Sequence, residues 1–179
     1  MKEDDDPALV QRCRAGDRRA FERLFERYQR PVFNAALRML RNPQDALDVA
    51  QTTFLKAFEH LADYDPSFKF YSWIYRIAVN ESLNALGSRR PFQELDDDEP
   101  DGAPGPEREA EGEQTRGEIE AALMRLSPEL RIVLVLRHLM QLSYQDMGEI
   151  LELPEKTVKS RLYSARQLLR QQLLRRGTV

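Results

Sequence analysis

The sequence predicts an all-α protein: two small helical domains joined by an acidic flexible linker, the second of them a helix-turn-helix domain. Two observations carry this reading. Apolar residues recur at three- and four-residue steps on both sides of the chain's middle, whereas strand-like alternation is sustained nowhere. Between those halves, residues 91–117 gather four of the ten prolines (Pro91, Pro100, Pro104, Pro106) and four of the eight glycines (Gly102, Gly105, Gly112, Gly117) around the run Asp96, Asp97, Asp98, Glu99, Asp101. Such a segment buries too little apolar surface to offset its chain entropy. The predicted division is therefore a first domain over 1–90, a linker over 91–117 and a second domain over 118–179.

At 179 residues, 41% hydrophobic and 32% charged, the chain suits one ordinary domain or two small ones and excludes a large enzyme. Its formal charge of −3 argues at first against a nucleic-acid partner, but the charge is unevenly spread. Residues 1–90 carry 15 cations and 13 carboxylates, residues 91–120 carry 2 and 12, and residues 121–179 carry 10 and 5. The acidity sits in the linker, and both domains are net basic. No apolar run is long enough to cross a bilayer, and Met1, Lys2, Glu3, Asp4, Asp5, Asp6 lacks the layout of a secretory signal, so a cytoplasmic location is expected. The single cysteine, Cys13, forbids an intramolecular disulfide and reads as a small core residue of the first helix. With only His60 and His138 besides, no zinc-ligand spacing exists, and neither a metal nor a cofactor is expected.

Each element has its own signal. Phe21, Leu24, Phe25 and Tyr28, then Val32, Phe33, Ala36, Leu37 and Leu40, keep helical spacing. Asn42 and Pro43 supply the cap and first turn of the next helix. In it Leu47, Ala50, Phe54, Phe58 and Leu61 form an apolar stripe, which leaves Asp45, Asp48, Gln51, Thr52, Lys56 and Glu59 on or beside the exposed face. Asp65-Pro66-Ser67 ends that stretch, and a helix from about Phe70 to Leu86 completes the first domain. The second domain opens with a helix from about Arg116 to Leu126. Ser127-Pro128 starts a helix through Leu139, and Ser143 with Asp146 forms a capping box for a short helix through Leu151. Pro154 begins a last helix toward Leu174. A short helix followed after a few residues by a cation-rich one is the helix-turn-helix layout.

Two constellations point to nucleic acid. At about 100° per residue, Val158, Leu162, Ala165 and Leu169 share one stripe of the last helix, while Lys156, Ser160, Tyr163, Ser164 and Gln167 lie opposite, flanked by Lys159 and Arg161. No carboxylate follows Lys156. Long donors for phosphates and short polar groups for base edges are what a helix in the major groove requires. The plainer reading is a solvated face of a bundle, though such faces normally mix both charges. The second constellation is Tyr64, Phe68, Phe70, Tyr71, Trp73 and Tyr75, interleaved with Lys69 and Arg76 and followed by Asn80 and Asn84. Aromatic faces stack on unpaired bases while adjoining cations hold backbone. Phe70, Trp73, Ile74 and Ile77 also lie at core spacing, so about half of these aromatics are expected to be buried. No phosphate-cradling loop, HExxH or nucleophile elbow is present, and the chain reads as a non-enzyme without a small-molecule substrate. A stand-alone helix-turn-helix regulator and a helical protein-binding adaptor both remain compatible with these features.

Three blocks narrow the choice: DALDVAQTTFLKAFEHL (Asp45 to Leu61), FYSWIYRIAVNESLNAL (Phe70 to Leu86) and LSPELRIVLVLRHLMQLSYQDMGEILELPEKTVKSRLYSARQLLR (Leu126 to Arg170). In this order and separation they resemble the extracytoplasmic-function sigma factors, minimal initiation factors of bacterial RNA polymerase. The resemblance implies that the first domain is sigma region 2, binding the β′ clamp helices of core polymerase and the promoter minus-10 element. It implies that the second is region 4, binding the β flap and the minus-35 element, and it implies an anti-sigma factor as a partner. Asp48, Gln51 and Phe54 match the polymerase-binding motif, with Phe54 supporting its helix from within; Asp45 and Thr52 complete this candidate set. Asn80 matches an asparagine near the opened non-template strand, and joins Lys69, Tyr71, Trp73, Tyr75, Arg76 and Asn84 as candidates for the minus-10 element. Lys159, Ser160 and Tyr163 match recognition-helix positions, and with Lys156, Thr157, Arg161, Ser164 and Arg166 form the minus-35 set. The chain departs from the family pattern at Leu47 and Thr52, where acids are usual, at Glu152, where a turn glycine is usual, and at Ser164, often arginine.

Overall fold

A computed structural model describes residues 5–88 and 117–175, and every regular element among them is helical. Apart from Gly117, the predicted linker lies outside the described residues, as do Arg89 and Arg90. The first lobe consists of α1 (Asp6–Arg14), α2 (Arg18–Leu40), α3 (Pro43–Glu59), a single 3-10 turn (Leu61–Asp63) and α4 (Phe70–Ser88). The second holds α5 (117–124), α6 (Pro128–Leu134), a π turn (Val135–Leu139), α7 (Tyr144–Leu151) and α8 (Glu155–Arg175).

Short polar side chains start the helices by accepting bonds from amides that the helix itself leaves unpaired. Asp5 accepts from the Ala8 amide at 3.0 Å and Asp17 from that of Arg19 at 3.0 Å. Asn42 accepts from both Gln44 and Asp45, at 2.9 and 3.1 Å, with Pro43 in the first turn. Ser143 and Asp146 form the reciprocal box the sequence predicts, the Asp146 amide donating to Ser143 Oγ at 3.1 Å and the Ser143 amide to Asp146 Oδ2 at 3.3 Å. α2 continues through Pro31, which forgoes the ladder bond to the Arg27 carbonyl.

Two expectations need correction. Leu47 and Phe58 do not belong to the buried stripe of α3: they are 43% and 57% exposed, and the buried residues are Ala46, Val49, Ala50, Thr53, Phe54 and Ala57. α3 is packed between α2 and α4, so it buries a broad band of small residues that admits both neighbours closely. Phe58 instead meets Phe21 edge-on at the surface, with ring centroids 5.0 Å apart. The helix predicted from Pro128 through Leu139 is α-helical only to Leu134 and then widens into the π turn, a local change of hydrogen-bond register that apolar spacing does not announce. Cys13 is only partly buried against the core; burial and the nearby Asp17 carboxylate push its thiol above the ordinary range, which disfavours thiolate chemistry.

The lobes are packed on each other. α4 lies along α7, α2 meets the π turn, and the buried apolar residues of both lobes form one continuous cluster. Arg131, 4% exposed, sits at this junction. Its guanidinium donates to the carbonyls of Leu123 (3.1 Å) and Met124 (2.8 Å) in the last turn of α5, to that of Leu126 (3.1 Å) just past it, and to the Met39 carbonyl at the end of α2. Burial lowers its pKa, yet four carbonyl acceptors satisfy the charge. Arg38 and Glu120 add an ion pair beside it.

Candidate nucleic-acid interface

α8 is held by Val158, Leu162 and Ala165, at most 1% exposed, with Leu169 half-buried on the same side. Lys156, Lys159, Ser160, Tyr163, Ser164 and Arg166 are exposed, and Thr157 and Arg161 lie half-buried at the flanks. Tyr163 reaches 67% exposure, a large aromatic presented to solvent. Lys159 is steered rather than loose: its Nζ donates to Glu155 at 3.0 Å and stands 5.2 Å above the Tyr144 ring, which also meets Arg137 at 5.0 Å. Arg166 reaches away from Tyr163 toward His138, at 3.3 Å, and rims a different feature. That feature is an apolar groove lined by Ile119, Leu123, Leu139, Leu169 and Leu173 and bordered by Arg38, Arg166 and Arg170. Sequence reasoning missed it. Its signal was present, because Ile119 with Leu123 and Leu169 with Leu173 add four-residue apolar steps beyond what the helix-turn-helix core uses.

The turn before α8 takes the left-handed conformation at Glu152, φ 54° and ψ 43°, where the family's glycine would be unstrained. A glycine does stand nearby. A Cβ on Gly148 would lie 2.8 Å from the Leu153 carbonyl oxygen, so the chain approaches its own backbone there too closely for a side chain.

The aromatic segment divides as its two readings required. Tyr64, Phe70 and Tyr75 are buried, Phe68 is exposed, and Tyr71 and Trp73 are intermediate. Tyr75 is therefore withdrawn as a base-stacking candidate: it faces Tyr28 in the core, 6.2 Å between centroids, and burial pushes its hydroxyl up to about 12. Trp73 leans on Tyr64 and Phe70 at 5.3 and 5.7 Å. Lys69, Tyr71 and Arg76 are engaged by the other lobe. Asp146 Oδ1 accepts from Tyr71 at 2.8 Å and from Lys69 at 3.0 Å, Lys69 also donates to the Tyr71 hydroxyl at 2.9 Å, and Arg76 pairs with Glu152 at 3.1 Å. Burial alone would raise the Asp146 pKa, but bonds from Ser143, Lys69 and Tyr71 outweigh it and hold the carboxyl at about 2.

Asn80 and Asn84 are exposed farther along α4. Asn84 shares a shallow acidic depression with Asp45, Asp48, Thr52 and Glu81, which puts it beside the polymerase-binding candidates rather than with Lys69 and Tyr71. On α3, Asp48 and Gln51 are exposed, Asp45 and Thr52 half-buried, and Phe54 is buried, touching Phe25 at 4.7 Å between centroids.

Two family matches cover this architecture: Sigma-70 region 2 over residues 24–91, and Sigma-70, region 4 over residues 116–169. The chain belongs to the extracytoplasmic-function sigma factors. It is 35% identical to the ECF RNA polymerase sigma-E factor of Escherichia coli K12, covering 92% of both chains, and 32% identical to the RNA polymerase sigma-H factor of Pseudomonas aeruginosa, covering 94% of both. Among solved structures it is similar to CnrH in complex with the cytosolic domain of CnrY, with 28% identity, a TM-score of 0.74, and 95% of this chain and 97% of that one covered. The sigma factor RpoE of Bartonella quintana, solved with the anti-sigma factor NepR, shares the fold at 21% identity and a TM-score of 0.67, over 86% of this chain and 96% of that one. As a sigma factor the chain is a transcription initiation factor that binds core RNA polymerase and promoter DNA. Among the described residues no helix is long and apolar enough to cross a membrane.

Proposed function

We propose that this sigma factor, acting in the cytoplasm and without catalysis of its own, holds duplex minus-35 DNA on α8 and unpaired minus-10 DNA on the first lobe. One observation carries the reading: α8 offers an exposed face of Lys156, Lys159, Ser160, Tyr163 and Ser164 on a helix anchored from its opposite side. Phosphate donors surround short polar groups there, the combination that positions a helix in a major groove and lets it read base edges. Asp45, Asp48, Gln51 and Thr52 on α3, with Asn84 beside them, dock on the β′ clamp helices, and Phe54 supports that surface from inside. The apolar groove between α5 and α8 accepts the β flap. Melting energy then comes from contacts to unpaired bases, Tyr71, Trp73 and Asn80 foremost, and not from nucleotide hydrolysis. Similarity to CnrH, solved with the cytosolic domain of CnrY, supports an anti-sigma factor as a further partner. The domain limits 1–90, 91–117 and 118–179 go with this division of labour.

Transcription reconstituted from core polymerase and the full chain on a library of genomic promoters tests it. Lys159→Ala with Tyr163→Ala is expected to weaken minus-35 selection and leave core binding unchanged. Loss of core binding with intact promoter selection would show that the faces are misassigned, and no transcription with the unaltered chain would overturn the reading.

A further inference from the structure

The contacts between the lobes are not placed at random. Two carboxylates at the two ends of α7 meet the cations and the phenol that the reading above assigns to minus-10 DNA. Asp146, in the first turn of α7, takes Lys69 and Tyr71; Glu152, just past its last turn, takes Arg76. Seen from α4, an anionic oxygen stands where a backbone phosphate would stand, at hydrogen-bond distance from an ammonium and a hydroxyl. Asp146 suits the task because it is already fixed. Its other oxygen accepts from the Ser143 hydroxyl at 2.6 Å and from the Ser143 amide, so it presents a charge whose geometry the helix start has set. The cations, by contrast, are solvent-accessible: the Lys69 and Arg76 side chains are 62% and 43% exposed. Ion pairs of that kind are individually weak and readily exchanged for another anion.

We propose that the sigma factor masks itself: in the closed chain Asp146 of α7 and Glu152, which caps its end, substitute for nucleic-acid phosphates on Lys69, just before α4, and on Tyr71 and Arg76 of α4. The second lobe thereby competes with minus-10 DNA for the first. Exchange rather than rupture follows from the chemistry, since each protein carboxylate that leaves is replaced by a phosphate oxygen on the same donor. The α8 face is not part of this contact, so the closed chain keeps its duplex-reading surface while its single-strand surface is covered. The proposal rests on the assignment of this α4 face to minus-10 DNA, and its test separates the two.

The test uses the full chain in a Cys13→Ser background, with a dye pair on cysteines introduced by Glu22→Cys and Gln171→Cys, exposed positions on α2 and α8. Three neutralising changes on the second lobe, Glu120→Gln, Asp146→Asn and Glu152→Gly, remove the acids of the contact without touching α4 or the outer face of α8. Energy transfer is expected to show one short distance in the parent and a longer one in the triple variant. Binding of a labelled thymidine 20-mer is then measured with and without Lys69→Ala and Arg76→Ala. In the open variant losing two phosphate contacts is expected to cost about tenfold in affinity at low salt, and in the closed parent less than about twofold. This non-additivity separates unmasking from the general gain that removing acids gives. A parent distance already long overturns the closure; one unchanged by the triple variant shows the lobes held by their shared apolar core and by Arg131, and overturns the part given to the carboxylates and the masking with it. Glu152→Gly alone provides the same comparison if Asp146→Asn unfolds α7. An equal loss of oligonucleotide affinity in parent and open chain overturns the masking while leaving the α4 assignment intact. No loss in either overturns that assignment, and the masking with it.

Discussion

The exposed faces of α4 and α8 are built from similar residues, cations and tyrosines on a helix anchored from behind, yet they stand in opposite conditions. Lys69, Tyr71 and Arg76 on the first lobe are engaged by acids of the second, whereas Tyr163, Ser160 and Ser164 point into solvent. Propensity and periodicity do not account for the difference. It comes from where the acids of the partner element fall: α7 carries Asp146 and Glu152 toward α4, while the only carboxylate on α8, Glu155, is turned to Lys159 of its own helix. Two surfaces of like chemistry can thus be in different states in one molecule, and the state is set by a neighbour that neither surface encodes.

The comparison can be broken most severely at Arg131. Arg131→Met takes the guanidinium from four carbonyls, its bonds to Met39 and Leu126 being fully buried, and is expected to lower unfolding free energy by about 3 kcal/mol in urea titrations of the full chain. Next comes acidity. The Asp146 carboxyl titrates at about 2 in the folded chain, below its value in an unfolded one. Its contribution, on the order of 2 kcal/mol, is fully present above about pH 4 and is lost as the pH falls toward 2. Asp146→Asn should flatten that part of the stability profile and leave the rest, as read by unfolding at pH 5, 3.5 and 2.5. A change confined to the second lobe follows in size: Gly148→Ala drives a methyl against the Leu153 carbonyl and is expected to cost about 1–2 kcal/mol, checked by thermal unfolding. The smallest effects are gains. Arg41, the αL cap of α2 at φ 52°, and Glu152, at φ 54°, both hold a conformation that suits glycine. Arg41→Gly should stabilise by about 1 kcal/mol, and Glu152→Gly by less, because it also gives up the pair with Arg76. The difference between the two measures that pair.

Much of the fold was legible because local rules and the final structure agree. Asn42-Pro43, the Ser143 and Asp146 box, and the four- and three-residue steps of Val158, Leu162 and Ala165 are signals whose partners lie within one turn of helix. The exposed face of α8 followed from the same steps by exclusion. What was not legible depends on distant contacts. Phe58 and Leu47 looked like core until α3 proved to be flanked by two helices that demand small residues, and Tyr75 looked like a stacking surface until Tyr28 covered it. Arg131 gave no sign of burial, because a guanidinium enters a core only where carbonyls converge and convergence is a tertiary event. The engagement of Lys69 and Tyr71 by Asp146 was hidden for a further reason: Asp146 already had a local explanation as a capping residue, and one assigned role concealed a second.

Arg131 also bears on how this junction is inherited. Its acceptor across the lobes is the main-chain carbonyl of Met39, a group that every amino acid supplies whatever its side chain. Substitutions at 39 leave that acceptor in place, so no compensating change at 131 is called for, and the two positions have no cause to covary among relatives. A contact of this type would persist through extensive drift of one lobe and stay invisible to any method that infers proximity from paired substitutions. It would also survive exchange of one lobe between relatives, provided the incoming partner keeps its helix end in the same place.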